Sequence, residues 1–297
     1  MTNGPRAWII ARNEACTGLS AGQTRTRRGV IGIFDSGVGG LSVMTEVVRE
    51  LPKEDVLYFA DTVHCPYGRR TDSEIQALSQ GVAAFLLAQG AQIVVVACNT
   101  ASAAALSHLR GYFDVPIVGM EPAVKPAAQR TGTRVVGVIA TEVTFQGALF
   151  ASLIERYASG VQVLTRSCPG LVEQVESGQI TAPSTKQMLE IYLQPLLQAG
   201  VDSLVLGCTH YPFLRPLFEE IAGEGVEVID PSPAVARQTA RVLRQQGLLK
   251  GVGRGRHTFY TTGNPQAFAR LLEQLTDLRG PVLPADWVGE ALRIRAG

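Results

Sequence analysis

The sequence predicts an α/β fold of two similar domains, each a mainly parallel sheet flanked by helices, with a site in the cleft between them. From Val30 onward, short β-rich runs alternate with helical stretches, and several of the runs are continuously apolar. Continuous runs suit strands buried on both faces of a parallel sheet, and strand–helix alternation is how such sheets are built. A third observation is an internal echo. Ile93-Val94-Val95-Val96-Ala97-Cys98-Asn99-Thr100 is similar to Ser203-Leu204-Val205-Leu206-Gly207-Cys208-Thr209-His210, 110 positions later. Ile31–Ser36 matches Val136–Thr141 at a separation of 105. A repeat near this length predicts two halves related by pseudo-symmetry.

In chain order, residues 1–28 come first and read differently from the rest. They carry five arginines against one glutamate, have no helical or strand period, and lack the apolar core of a secretory signal. They are expected to be a disordered extension. Strands are then expected at Val30–Phe34, Val56–Phe59, Ile93–Ala97, Ile117–Gly119, Val135–Ile139, Val161–Leu164, Ser203–Leu206 and Val226–Ile229. Helices fit between them. The clearest starts at Thr71, where Thr71 and Glu74 form a capping-box pattern. Ile75, Leu78, Val82, Phe85 and Leu86 follow at helical spacing.

Composition removes several function classes. Of 297 residues, 46% are hydrophobic and 18% charged, so there is ample apolar surface to bury and little basis for disorder. A net charge of +1 gives no broad grip on nucleic acid. Apolar runs such as Ile93 to Cys98 fall far short of the roughly 20 residues a membrane-spanning helix needs. Five scattered cysteines without a C-x-x-C pair suggest neither a zinc ribbon nor a disulfide framework. They fit a reducing cytoplasm, and no metal site is expected.

Ligands of open α/β sheets bind beyond the carboxyl ends of the strands. Four polar segments fall there: Asp35-Ser36-Gly37, Asp61 through Tyr67-Gly68, Cys98-Asn99-Thr100 and Cys208-Thr209-His210. The Val38-Gly39-Gly40 turn exposes backbone N–H groups near a helix start, which suits an anion. No P-loop lysine follows, so a carboxylate is a better ligand than a nucleotide phosphate. A buried strand-end cysteine is more often a small core residue than a nucleophile. Here the repeat pairs two of them across one cleft, and His210 stands two residues from Cys208, placed to relay a proton or hold a thiolate's charge.

Two thiols facing one small substrate can invert a stereocentre. One thiolate takes a proton from one face of a carbon while the opposing thiol donates to the other. A thiol with the ordinary pKa of about 8.5 is a few per cent ionised at neutral pH. The obstacle is the weak acidity of a carbon next to a carboxylate. Asn99, Thr100, Thr209, Ser36 and loop N–H groups are candidates to stabilise the developing charge. No cofactor motif is present to act as an electron sink.

These residues carry a family resemblance. The chain resembles the bacterial glutamate racemases over essentially all of residues 30–280. The matching motifs are Ile31-Gly32-Ile33-Phe34-Asp35-Ser36-Gly37-Val38-Gly39-Gly40-Leu41, Asp61-Thr62 with Pro66-Tyr67-Gly68, Ala97-Cys98-Asn99-Thr100-Ala101-Ser102, and Gly207-Cys208-Thr209-His210-Tyr211-Pro212. All four in this order are highly specific. The resemblance implies a cofactor-independent enzyme that interconverts L- and D-glutamate, supplying D-glutamate for peptidoglycan. It implies Cys98 as the base on the D-isomer and Cys208 as the base on the L-isomer, with Asp35 assisting the first and His210 the second. Substrate contacts carry over to Asp35, Ser36, Tyr67, Gly68, Asn99, Thr100, Thr209 and His210.

A family glutamate after a Cys-Pro motif maps to Glu176, which could equally be an exposed helix-face carboxylate. Cys65 and Cys168 match no catalytic position and read as structural. Two domains are implied, 29–123 plus 236–297 and 124–235. A homodimer is admitted but not specified. The chain departs from the family at Gly147, Phe150, Glu173 and Val63-His64-Cys65, and most members have no counterpart of residues 1–28. Two other readings stay open. One is a racemase of aspartate or another amino acid; the other is a cysteine amidohydrolase using Cys208 with His210, which would need only one thiol.

Overall fold

The structure, a computed structural model, describes residues 29–295. The extension expected at 1–28 lies outside the described residues. Among the described residues, eleven strands sort into two sheets. The first holds β1 (Val30–Asp35), β2 (Asp55–Ala60), β3 (Ile93–Val96), β4 (Ile117–Val118), β9 (His257–Thr261), β10 (Val282–Val288) and β11 (Ala291–Ile294). The second holds β5 (Val135–Ala140), β6 (Gln162–Ser167), β7 (Ser203–Gly207) and β8 (Glu227–Ile229).

The strand orders show the internal repeat in three dimensions. The first sheet contains the run β2-β1-β3-β4, and the whole second sheet runs β6-β5-β7-β8. Strand β1 therefore corresponds to β5 and β3 to β7, the two matches visible in the sequence. All pairings are parallel except β10 with β11. The central strands β1, β3 and β7 are buried along their whole length, which is why they read as unbroken apolar runs. The edge strand β6 is half-exposed and carries Gln162, Thr165 and Arg166.

The expected strands are all present, with bounds shifted by one to three residues. Strands β9, β10 and β11 were not anticipated. They extend the first sheet from β2, with Val56 opposite His257 and Val282 opposite Phe259. The first is only five residues of mixed polarity. The second is half-buried and interrupted by Pro284. Neither has the apolar run or the clean alternation that marks a strand in sequence.

The helix at Asp72–Ala88 begins where the capping box placed it. The Thr71 hydroxyl accepts the Glu74 N–H at 3.4 Å, and the Glu74 carboxylate accepts the Thr71 N–H at 2.8 Å. The helix Ser232–Gln245 leaves the second sheet and packs on Leu41–Glu50 under the first. Val235, Ala236, Ala240 and Leu243 join Leu41, Met44 and Val47 there in one buried cluster. The same cluster continues into Leu204 and Leu206 of β7, so apolar packing is unbroken between the two sheets.

Candidate active site

Strand β1 ends in Asp35, and the chain then turns through Ser36–Gly40 into the helix Leu41–Glu50. Asp35 is fully buried. Its Oδ1 accepts the Ser36 N–H at 2.8 Å, and its Oδ2 accepts the Gly40 N–H at 2.6 Å and the Thr209 hydroxyl at 3.2 Å. The turn was expected to offer its N–H groups to a bound anion. Instead it holds the protein's own carboxylates: Val38 N–H donates to Glu176 at 2.7 Å. Two of its glycines are required by close approach. A Cβ at Gly37 would stand 1.8 Å from the Glu176 carboxylate, and one at Gly39 would stand 2.4 Å from His210 Nδ1.

Cys98 follows β3 and caps the helix Asn99–Tyr112, its sulfur accepting the Ala101 N–H at 3.4 Å. Burial pushes its thiol well above the ordinary range, and the neighbouring Asp35 carboxylate adds to that. Burial also raises the Asp35 carboxyl, against the opposing pull of the His210 charge and a hydrogen bond from Cys98. A raised carboxyl is a better proton acceptor than a free one. The side chain of Asn99 is buried, and neither its amide nitrogen nor its carbonyl oxygen has a protein partner. A polar group in that state is costly unless a ligand or water satisfies it.

Cys208 follows β7 in the equivalent position. His210 Nδ1 lies 3.7 Å from its sulfur, and Nε2 lies 2.6 Å from Glu176 Oε1. Burial opposes a charge on His210, but contacts with Cys208, Cys65 and Glu176 outweigh it and hold the imidazole well above its ordinary value. Burial likewise opposes ionisation of Glu176, yet the His210 hydrogen bond and charge and the Val38 N–H keep its carboxyl below the usual range. Glu176 ends the short helix Leu171–Glu176 and is half-buried, its carboxylate engaged by these partners, so it is not a solvated helix-face carboxylate.

These segments meet at one narrow cavity. Asp35, Ser36, Tyr67, Gly68, Cys98, Asn99, Thr100, Cys208, Thr209 and His210 all line it. Pro66, Thr141 and Val172 line it as well and were not anticipated. Thr141 is held by hydroxyl contacts to Thr100 at 2.9 Å and Thr144 at 3.0 Å. Its signal was available: it is the repeat equivalent of Ser36. The Tyr67 hydroxyl is directed away, donating to Asp61 at 2.8 Å, so Tyr67 offers the cavity its ring and backbone. Cys168 is buried beside the Arg166 carbonyl, whereas Cys65 stands against Glu176. A roomier cavity lies at the opposite, amino-terminal end of β1, β2 and β9, lined by Arg49, Asp55, Arg254 and Arg279, with no thiol.

Comparison with known proteins agrees with the motifs. The Asp/Glu/Hydantoin racemase family matches residues 29–239. A glutamate racemase of Roseiflexus sp. (strain RS-1) is 49% identical over 265 residues, covering 88% of this chain and 95% of that protein. The chain belongs to the glutamate racemase family. A second glutamate racemase, of Pseudomonas syringae pv. tomato, is 50% identical over 85% of this chain and 92% of its own length. Among solved structures, Escherichia coli glutamate racemase in complex with L-glutamate and the activator UDP-MurNAc-Ala superposes with a TM-score of 0.79 at 30% identity, covering 88% of this chain and 100% of that one. A Bacillus anthracis glutamate racemase gives 0.78 at 33% identity, covering 86% and 97%.

Proposed function

We propose that this chain interconverts L- and D-glutamate by a two-thiol mechanism without a cofactor, providing D-glutamate for the cell wall. The observation that carries the reading is that Cys98 and Cys208, from equivalent positions of the two sheets, line one cavity. The division into lobes that fits this is 29–123 plus 236–297 and 124–235, each contributing one thiol.

In the L-to-D direction, the Cys208 thiolate removes the α-proton and the Cys98 thiol delivers its own proton to the opposite face. The C–H bond on one side breaks as the new one forms on the other. Sulfur charge is transferred from Cys208 to Cys98, and the reverse direction runs with the states exchanged. The protonated His210 imidazole supplies a counter-charge to Cys208, and Asp35 takes up or returns the Cys98 proton. The unpartnered amide of Asn99, with Thr100, Thr209 and Ser36, is available to the substrate's amino and carboxylate groups. Donors fixed in advance stabilise the charge that develops on the carboxylate as the α-proton leaves. Two facing thiols also argue against an amidohydrolase, which needs one.

The test is incubation of each glutamate enantiomer in heavy water with wild type, Cys98→Ala and Cys208→Ala. Solvent deuterium is expected at the α-carbon in wild type, and each substitution is expected to lower racemisation by about 10³-fold. A variant that racemises near the wild-type rate would exclude the two-thiol reading. The same assay with L-aspartate decides substrate class.

A further inference from the structure

We propose that Cys65, Glu176 and His210 form a binding site for a soft divalent cation such as Zn²⁺, and that filling it arrests the reaction. The arrest rests on the racemase reading above; the binding does not.

The three side chains come from three separate segments: the loop after β2, the end of the helix Leu171–Glu176, and the turn after β7. Their donor atoms, one sulfur, one carboxylate oxygen and one imidazole nitrogen, all lie within 4.8 Å of one another. Glu176 Oε1 is 2.6 Å from His210 Nε2 and 3.6 Å from Cys65 Sγ. Ligand atoms around a tetrahedral zinc ion stand roughly 3.3–3.8 Å apart, given bond lengths of about 2.0–2.3 Å. The observed separations therefore need adjustments of about 1 Å or less. Mixed S, N and O donors with a fourth position open suit Zn²⁺ or Cd²⁺ rather than Mg²⁺ or Ca²⁺.

The surroundings support the ligands. The Val38 N–H holds Glu176, and His210 Nδ1 faces Cys208. Such outer contacts fix ligand orientation. One of the three ligands, Cys65, is open to a cavity other than the substrate cavity. Cys65 is half-buried and also lines an outer cavity with Pro66, Arg69, Arg70 and Glu74. The two guanidinium groups there are engaged, Arg69 with Glu173 and Arg70 with the His64 carbonyl.

Binding exchanges protons for metal. The cation takes the Cys65 thiolate, the His210 Nε2 lone pair and the Glu176 carboxylate, and two protons leave to solvent, one from sulfur and one from Nε2. His210 then keeps its remaining proton on Nδ1, facing Cys208, and can no longer take a proton at Nε2. The cation is an inhibitor here, not a participant in the reaction.

The decisive competitor is the pair of cavity thiols, which could also hold a soft metal. Cd²⁺ binding is therefore read from its thiolate charge-transfer absorbance and Zn²⁺ affinity from competition with a chromophoric chelator, in a Cys16→Ser background, since Cys16 lies outside the described residues. The band and the affinity are expected to survive in Cys98→Ala/Cys208→Ala. The band should vanish in Cys65→Ser, with affinity falling about 100-fold or more. Glu176→Gln, which keeps the shape of its side chain, should weaken Zn²⁺ about 10-fold or more and decides the matter if Cys65→Ser does not fold. Retention in Cys65→Ser with loss in the double variant, or no binding by the parent chain, overturns the site. Separately, wild-type racemisation should fall with added Zn²⁺ and recover with chelator. A chain that binds metal but never racemises would instead refute the catalytic reading.

Discussion

At the scale of single residues, the His210–Glu176 pair makes a pH prediction with a definite sign. His210 is held above its ordinary 6.5, so its share of stability is full below about 6.5 and fades as pH rises through the raised value. Glu176 is held below its ordinary 4.5, so its share is full above about 4.5 and fades as pH falls through the lowered value. The pair therefore stabilises most between these limits. Thermal unfolding followed against pH should show the largest gap between wild type and Glu176→Gln in that window, narrowing on either side. Glu176→Gln should also lower kcat more than it raises KM, because it acts through His210 rather than on substrate. Gly39→Ala makes a second residue-scale test. The added methyl would meet His210 and Thr209. It should cut racemisation by about 10-fold or more while leaving far-ultraviolet circular dichroism unchanged.

At the scale of elements, the capping box of the helix Asp72–Ala88 and the turn Ser36–Gly40 do different work. The first fixes the start of a helix through two side chains that do not line the substrate cavity. Thr71→Ala should cost about 1 kcal/mol in urea unfolding and leave the racemisation rate within error. The box was legible in the sequence because both partners are local, three residues apart. The role of the turn was not. Its glycines looked like an anion cradle, but they are set by His210 and Glu176, more than 130 positions away. Strands β9 to β11 are hidden in the sequence for a related reason: their residues carry no pattern of their own and become a sheet only once β9 pairs with β2 and the other two add beyond it.

At the scale of the whole molecule, the two sheets are tied together at the site. Thr209 donates to Asp35, the Ser42 hydroxyl donates to the Thr209 carbonyl at 3.0 Å, and Val38 N–H reaches Glu176. The unanticipated C-terminal strands contribute as well. Trp287 Nε1 donates to the buried Asp61 at 2.8 Å, and Thr262 and Tyr67 donate to the same carboxylate. Asp61 thereby links β10 to the loop that carries Tyr67 and Gly68. Trp287→Phe should cost about 1–2 kcal/mol in urea unfolding and raise KM for glutamate more than it lowers kcat. Removing residues 1–28 is expected to leave kcat and KM unchanged, since the family match and β1 both begin after them.

By itself the sequence determined the α/β class, the buried strands with their strand-end polar segments, and the correspondence of Cys98 with Cys208. These depend on apolar periodicity and on short motifs, which are local properties of the chain. The tertiary structure alone decided that the turn N–H groups serve Asp35 and Glu176, that Tyr67 turns its hydroxyl to Asp61, that Thr141 joins the cavity, and that Cys65 stands beside Glu176. Those contacts join residues brought together only by packing or by the course of a loop, and a hydrogen bond depends on position and direction that residue identity does not encode.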